Sequence, residues 1–150
     1  MSFNKTDEAG PILLRAATEA DALPDPASPP VRRLRAAVHS ALGGYHDSRK
    51  QYPRAVAEYT TALNEYEWLA RRFENFPQYR YQQANVLYYL AIPTALSGDT
   101  KTAVQHLEKS EQLLAELTRT NNTNAQYRTT HDKVAELLNK IRTPPKDKKP

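Results

Sequence analysis

Apolar residues recur along this chain at steps of three and four, the spacing that gathers side chains on one face of a helix. The plainest stripe is Ala55, Tyr59, Ala62, Leu63, Tyr66, Leu69 and Phe73, which predicts a helix starting near Pro53. Ala103, Leu107, Leu114 and Leu117 predict another, and Val134, Leu137, Leu138 and Ile141 form the inner face of a last helix from about Ala125 to Ile141. Val38 with Leu42, and Val86 with Leu90, sit four apart on two further helices. Pro30 and Pro77 stand where those would begin, in the first turn that tolerates a missing N–H. Gly43-Gly44 weakens the first of them. Pro93 falls inside the second, Pro77 to Leu96, where an interior proline is expected to kink the helix near Tyr89 to Pro93. Gly98-Asp99 and Asn121-Asn122-Thr123-Asn124 supply breaks.

The pattern repeats. Gln78-Tyr79-Arg80 returns 48 residues later as Gln126-Tyr127-Arg128, and the same ungapped shift pairs Ala55-Val56 with Ala103-Val104 and Leu69 with Leu117. Three columns occur three times: Arg32, Arg80 and Arg128; Val38, Val86 and Val134; Leu42, Leu90 and Leu138. One register held from residue 31 to residue 141 makes this stretch a repeat domain of two-helix units. The ends differ in kind. Residues 1–30 read as a partly disordered segment with one short helix over Pro11 to Leu23, followed by a stiff extended connector containing Pro24, Pro26, Pro29 and Pro30. Residues 1–9 and 143–150 are expected to be disordered, with 142–150 a basic tail.

Each unit resembles the tetratricopeptide (TPR) repeat, Trp-x2-Leu-Gly-x2-Tyr followed by Ala-x3-Phe. Unit one supplies His39-x2-Leu42-Gly43-x2-His46 and Ala55-x3-Tyr59; unit two supplies Leu87-x2-Leu90-Ala91-x2-Thr94 and Ala103-x3-Leu107, with Gly98 matching the glycine between helices. The small residues Gly43, Ala55, Ala91 and Ala103 lie where two helices of a hairpin must approach closely. The period of 48 exceeds the family's usual 34 and adds about two helical turns to each helix. This long variety is similar to arrays attached to bacterial serine/threonine kinases. The resemblance implies an all-α fold, a tetratricopeptide-like helical-hairpin solenoid of five to six antiparallel helices.

Composition narrows the chemistry. Lys plus Arg is 21 against 17 for Asp plus Glu, a net charge of +4, and most of the excess lies in the tail with Lys146, Lys148 and Lys149. The rest is near neutral, which argues against a continuous nucleic-acid surface. No cysteine is present, so thiolate metal sites and thiol nucleophiles are excluded. Four glycines, at 10, 43, 44 and 98, permit neither G-x-G-x-x-G nor a P-loop, so no cofactor is expected. His39 and His46 share a face without a third ligand, and no metal site is expected. No secretory signal or membrane-spanning run is visible, which makes a cytoplasmic location and no membrane partner the expectation.

What remains is binding. Tyr79, Tyr81, Tyr88 and Tyr89 place four of nine tyrosines within one helix. In the family the first helix of each pair lines a concave groove, so the resemblance puts Asn85, Tyr88, Tyr89 and Ile92 there, joined by Lys133, Leu137 and Lys140 from the last helix. Tyr79 and Tyr81 are expected to pack against neighbouring helices instead. Unit one offers Ala37, Ser40, Ala41 and Gly44 at the same places. The leading expectation is a non-catalytic scaffold or adaptor that takes a peptide or protein partner in this groove, with Tyr88 its foremost contact. The rival is the C-terminal regulatory segment of a bacterial serine/threonine kinase or other signalling protein. Two units fall below the roughly three usually needed for a continuous core, which predicts either marginal stability or homodimerisation through an open end.

Overall fold

The computed structural model describes the backbone of residues 5–143 and the side chains of residues 8–143. Six helices follow one another: α1 (Lys5–Asp21), α2 (Pro29–Ser48), α3 (Tyr52–Arg72), α4 (Pro77–Leu96), α5 (Thr100–Thr120) and α6 (Ala125–Arg142). Helices α2, α4 and α6 start 48 residues apart, and α3 and α5 both start and end 48 residues apart. The period legible in the amino acids is therefore also the period of the backbone.

Local chemistry explains where the helices begin. Ser28 caps α2 by accepting from the Val31 N–H at 3.5 Å, and two prolines fill the first turn. The Asp99 carboxylate accepts from the Thr102 N–H at 3.0 Å to start α5. The Asn124 side chain accepts from the Gln126 and Tyr127 N–H groups at 3.0 and 3.3 Å to start α6. The turns within the two hairpins also match. Gln51 N–H donates to the His46 carbonyl at 2.9 Å as Asp99 N–H donates to the Thr94 carbonyl at 3.1 Å. The left-handed residue of this turn is Lys50 (φ 58°) in the first hairpin and Gly98 (φ 98°) in the second.

Two expectations need correction. Helix α1 begins at Lys5 rather than Pro11 and runs through Pro11, so the stretch expected to be disordered is helical from Lys5 onward. Pro11 is the seventh residue of α1, beyond the first turn, so the helix runs on without the bond an N–H at this position would have made. Residues 1–4 and 144–150, also expected to be disordered, lie outside the described residues. The proline-rich connector is no extended strut: residues 22–28 make a turn in which Asp25 adopts φ 57° and Ser28 N–H donates to the Asp25 carbonyl at 2.9 Å. Asp tolerates this left-handed conformation better than most residues, while Pro29 and Pro30 are absorbed into α2. Helix α2 is continuous through Gly43-Gly44, and α4 through Pro93, less than one turn from its end.

Consecutive helices pack side by side, and α4 also touches α2 and α6. Pairings across each interface run in opposite residue order: Arg32 with Glu65 and His39 with Glu58 between α2 and α3, Tyr59 with Tyr89 and Glu67 with Gln83 between α3 and α4, Arg80 with Glu116 between α4 and α5. Neighbours are thus antiparallel, and α2, α4 and α6 run parallel with α4 in the middle. One core cluster joins α2, α3 and α4 through Ala36, Tyr59, Leu63, Leu69, Leu87 and Leu90. A second joins α4, α5 and α6 through Ala84, Ala91, Leu107, Leu114, Val134 and Leu138. Each buried leucine contributes about 2 kcal/mol of burial energy.

Small residues set the closest approaches. Ala55, Ala91 and Ala103 are fully buried. A methyl group at Gly43 would fall 2.8–2.9 Å from the Tyr59 ring. Ser110 Oγ donates to the Ala84 carbonyl at 2.7 Å across α4 and α5. Where the chain departs from its repeat, charge takes over. Glu65, 5% exposed, accepts from Arg32 at 2.7 Å and Arg35 at 2.9 Å. Arg35 also reaches Asp21 at 2.9 Å, while the His39 ring lies between Glu58 (2.6 Å) and Asp21 (3.2 Å). This network ties α1 to the α2–α3 hairpin, together with Gly10, which has room only for hydrogen beneath Tyr45.

Candidate functional site

The parallel helices α2, α4 and α6 border a run of hollows. Asn85, Tyr88, Tyr89 and Lys133, four of the residues expected to line a groove, border one hollow of about 370 Å³ between α4 and α6, with Tyr81, Gln126, Thr129 and Thr130. On the other side of α4 a hollow of about 440 Å³ has Ala37, Ser40, Ala41 and Gly44 of α2 opposite Tyr59, Tyr66 and Tyr89. Asn85 and Tyr89 border both hollows, so α4 forms the ridge of one continuous surface.

The tyrosines divide by their partners. Tyr81 is buried, with its hydroxyl 3.0 Å from Thr130 Oγ1 and its ring 5.1 Å from that of Tyr127. Tyr79 is half-buried against Phe73 and Phe76. Tyr88 is half-buried and packs onto the second core cluster, with its ring 5.2 Å from that of Tyr89. Burial pushes its hydroxyl up, with Tyr89 and Glu136 adding to the effect and Lys140 opposing it. Tyr89 stacks on Tyr59 at 6.2 Å and stays 42% exposed. Burial, then Asp47 and Tyr89, push the Tyr59 hydroxyl up to about 12, so it remains a neutral donor at physiological pH. Tyr89 is therefore the exposed member of an aromatic group, between the buried Tyr59 ring and the Tyr88 ring, which it meets in a T-shaped contact.

The other three expected residues sit differently. Ile92 is half-buried one turn beyond Tyr88 and Tyr89. Leu137 serves the core. Lys140 is engaged with Glu136 of its own helix at 2.8 Å. Sequence reasoning missed the other end of the surface. There Arg33, Tyr66, Phe76, Gln78, Tyr79 and Gln82 border a hollow of about 290 Å³, and Phe76 is 59% exposed. The signal was available in α4, since Gln78, Gln82, Asn85 and Tyr89 follow one another at steps of three and four and thus share a face. The two histidines considered as ligands have other partners: His39 holds its two carboxylates, and His46 Nδ1 lies 2.7 Å from Gln51 Oε1. Among the described residues no helix is long and apolar enough to cross a membrane.

Comparison with family models, curated proteins and solved structures gives no match to this chain. Its geometry and chemistry therefore carry the functional reading.

Proposed function

We propose that this chain is a tetratricopeptide-like solenoid acting as a non-catalytic protein-interaction module, with the α2–α4–α6 face as its peptide groove. The observation that carries the reading is the continuity of that face. Asn85 and Tyr89 border the hollows on both sides of α4, so an extended ligand crosses the ridge without leaving the surface. Support for a solenoid comes from the 48-residue spacing of the helices and from packing in which each helix meets its sequence neighbours. Contact of α4 with α2 and α6 supports the face of these helices as the inner one. Homodimerisation through an open end has little apolar surface to use on α6, where Arg128, Asp132, Lys133, Glu136 and Lys140 are exposed.

The test is a photo-cross-linking residue placed at Gln82, within the groove, and separately at the exposed Ala57 on α3. Partners captured from Gln82 alone are then titrated against variants. Truncating a central tyrosine costs about 1–2 kcal/mol of affinity. Tyr89→Ala should therefore weaken binding about tenfold with helicity unchanged, and Lys133→Glu should weaken it as well. Normal binding by both, with binding lost when Lys146, Lys148 and Lys149 are removed, would move the site to the tail.

A further inference from the structure

The charge on the groove has an order that names its ligand. Arg33 borders the hollow at the α2 side and Lys133 the hollow at the α6 side; no Asp or Glu lines either of these, or the small-residue slot between them. Among the described residues neither cation has a carboxylate partner, whereas Arg32, Arg35, Arg80, Lys109 and Lys140 are each paired. Between the two cations the lining side chains are uncharged, with Asp47 the carboxylate felt at the Tyr59 end of the slot. Gln82 and Asn85 stand on the α4 ridge, and the slot at Ala37, Ser40, Ala41 and Gly44 is closed on its far side by Tyr59 and Tyr89.

Each part has a chemical complement. A carboxamide offers a donor and an acceptor, the pair needed to satisfy the N–H and C=O of an extended backbone. A slot between small residues and a stacked tyrosine pair admits one flat or branched apolar side chain. Two unpaired cations at the corners call for two carboxylates. Arg33 and Lys133 are separated by two helix spacings of 8–10 Å and an axial offset of about one turn, hence about 20 Å. An extended chain covers that distance in about six residues. A helical peptide would leave no free backbone groups for the amides, and a nucleic-acid strand calls for a continuous basic track rather than two corners.

We propose that the groove binds an extended acidic segment of a partner protein in which two carboxylates about six residues apart flank a single aromatic or branched apolar side chain. The proposal rests on the reading of the α2–α4–α6 face as a peptide groove and goes on to name the ligand.

The probe is a fluorescein-labelled peptide with both ends blocked, Glu-Ser-Trp-Ser-Ser-Ser-Glu, whose alternation as an extended chain puts both Glu and the Trp on one face, titrated into the full chain at low salt and followed by anisotropy. Peptides with both Glu replaced by Lys, or with both Glu at one end, should bind at least tenfold more weakly. Arg33→Glu and Lys133→Glu should each lose about tenfold, and Arg33→Glu should regain binding when one Glu of the peptide becomes Lys. That charge-swap rescue is something a merely structural role for Arg33 would not produce. Equal binding of all three peptides, lost in Tyr89→Ala, would overturn the acidic rule and leave the groove standing. Binding indifferent to Tyr89→Ala, Arg33→Glu and Lys133→Glu would overturn both. Displacement of the peptide by oligo-dT, or no binding at millimolar peptide, would overturn the proposal in favour of a nucleic acid or of a differently built ligand.

Discussion

Replacing Gly43 by alanine should destabilise this protein, whereas the same change at its neighbour Gly44 should stabilise it. In a helix interior Gly→Ala is worth about 1 kcal/mol in backbone propensity, and both residues lie well inside α2. Packing decides the sign. A methyl group at Gly43 meets Cδ1, Cε1 and Cγ of Tyr59 at 2.8–2.9 Å, which is the base and side of the ring and not a flexible tip. That ring is buried and stacked on Tyr89, so it has little freedom to withdraw. Overpacking of this kind costs about 1–3 kcal/mol, which leaves Gly43→Ala destabilised by up to about 2 kcal/mol. At Gly44 the nearest atom is the Tyr59 hydroxyl at 3.4 Å, an ordinary contact, and most of the propensity gain should survive. Urea unfolding followed by circular dichroism should give midpoints on opposite sides of the parent with similar slopes. Site-resolved NMR titration of Tyr59 supplies a second reading, because a ring displaced from its buried position loses part of the burial that pushes its hydroxyl up and should ionise at lower pH. If both variants gain stability equally, the Tyr59 ring yields without cost and the close approach of α2 and α3 at Gly43 is not tight.

Lys50 holds the left-handed position that Gly98 fills in the second hairpin, so Lys50→Gly should raise stability by about 0.5–1 kcal/mol in the same urea assay. Glu65→Ala strands Arg32 and Arg35 at a buried carboxylate site and should cost about 2–4 kcal/mol, while Arg15→Ala, at an exposed pair on α1, should cost well under 1 kcal/mol. Burial alone would raise the Asp21 carboxyl, but bonds from His39 and Arg35 outweigh it and hold it below 3.8. A lowered carboxylate contributes stability that is fully present above 3.8 and lost as pH falls through its folded midpoint. NMR titration of Asp21 should therefore find a midpoint below 3.8, with the signals of Tyr45, which packs on Gly10 of α1, moving in the same window. Unmoved Tyr45 signals would mean that acid does not loosen α1.

Much of the architecture was legible because it is local and repeated. The apolar stripes of α3, α5 and α6 depend only on helical spacing, and Pro77 to Leu96 coincides with α4 because proline at a helix start is a rule of backbone chemistry. The 48-residue register carried over to helix starts and hairpin turns since each unit solves the same packing problem. Asn85, Tyr88, Tyr89 and Lys133, placed together by the resemblance to the tetratricopeptide repeat, border one hollow. What needed the tertiary structure is whatever depends on a partner distant in sequence. Nothing local distinguishes Tyr88, half-buried against the second core cluster, from Tyr89, stacked on Tyr59 and 42% exposed. The Glu136–Lys140 pair lies four residues apart on α6 and is itself legible from spacing. The pairing of Arg32 and Arg35 with Glu65, and the absence among the described residues of such a partner beside Arg33, follow only from how α2 and α3 meet. The network from Asp21 through His39, Arg35 and Glu65 joins three helices, and only their docking decides that α1 is held against α2. Helical periodicity tells which side of a helix is buried; the choice of neighbour, and hence of paired and unpaired charge, is made when the helices meet.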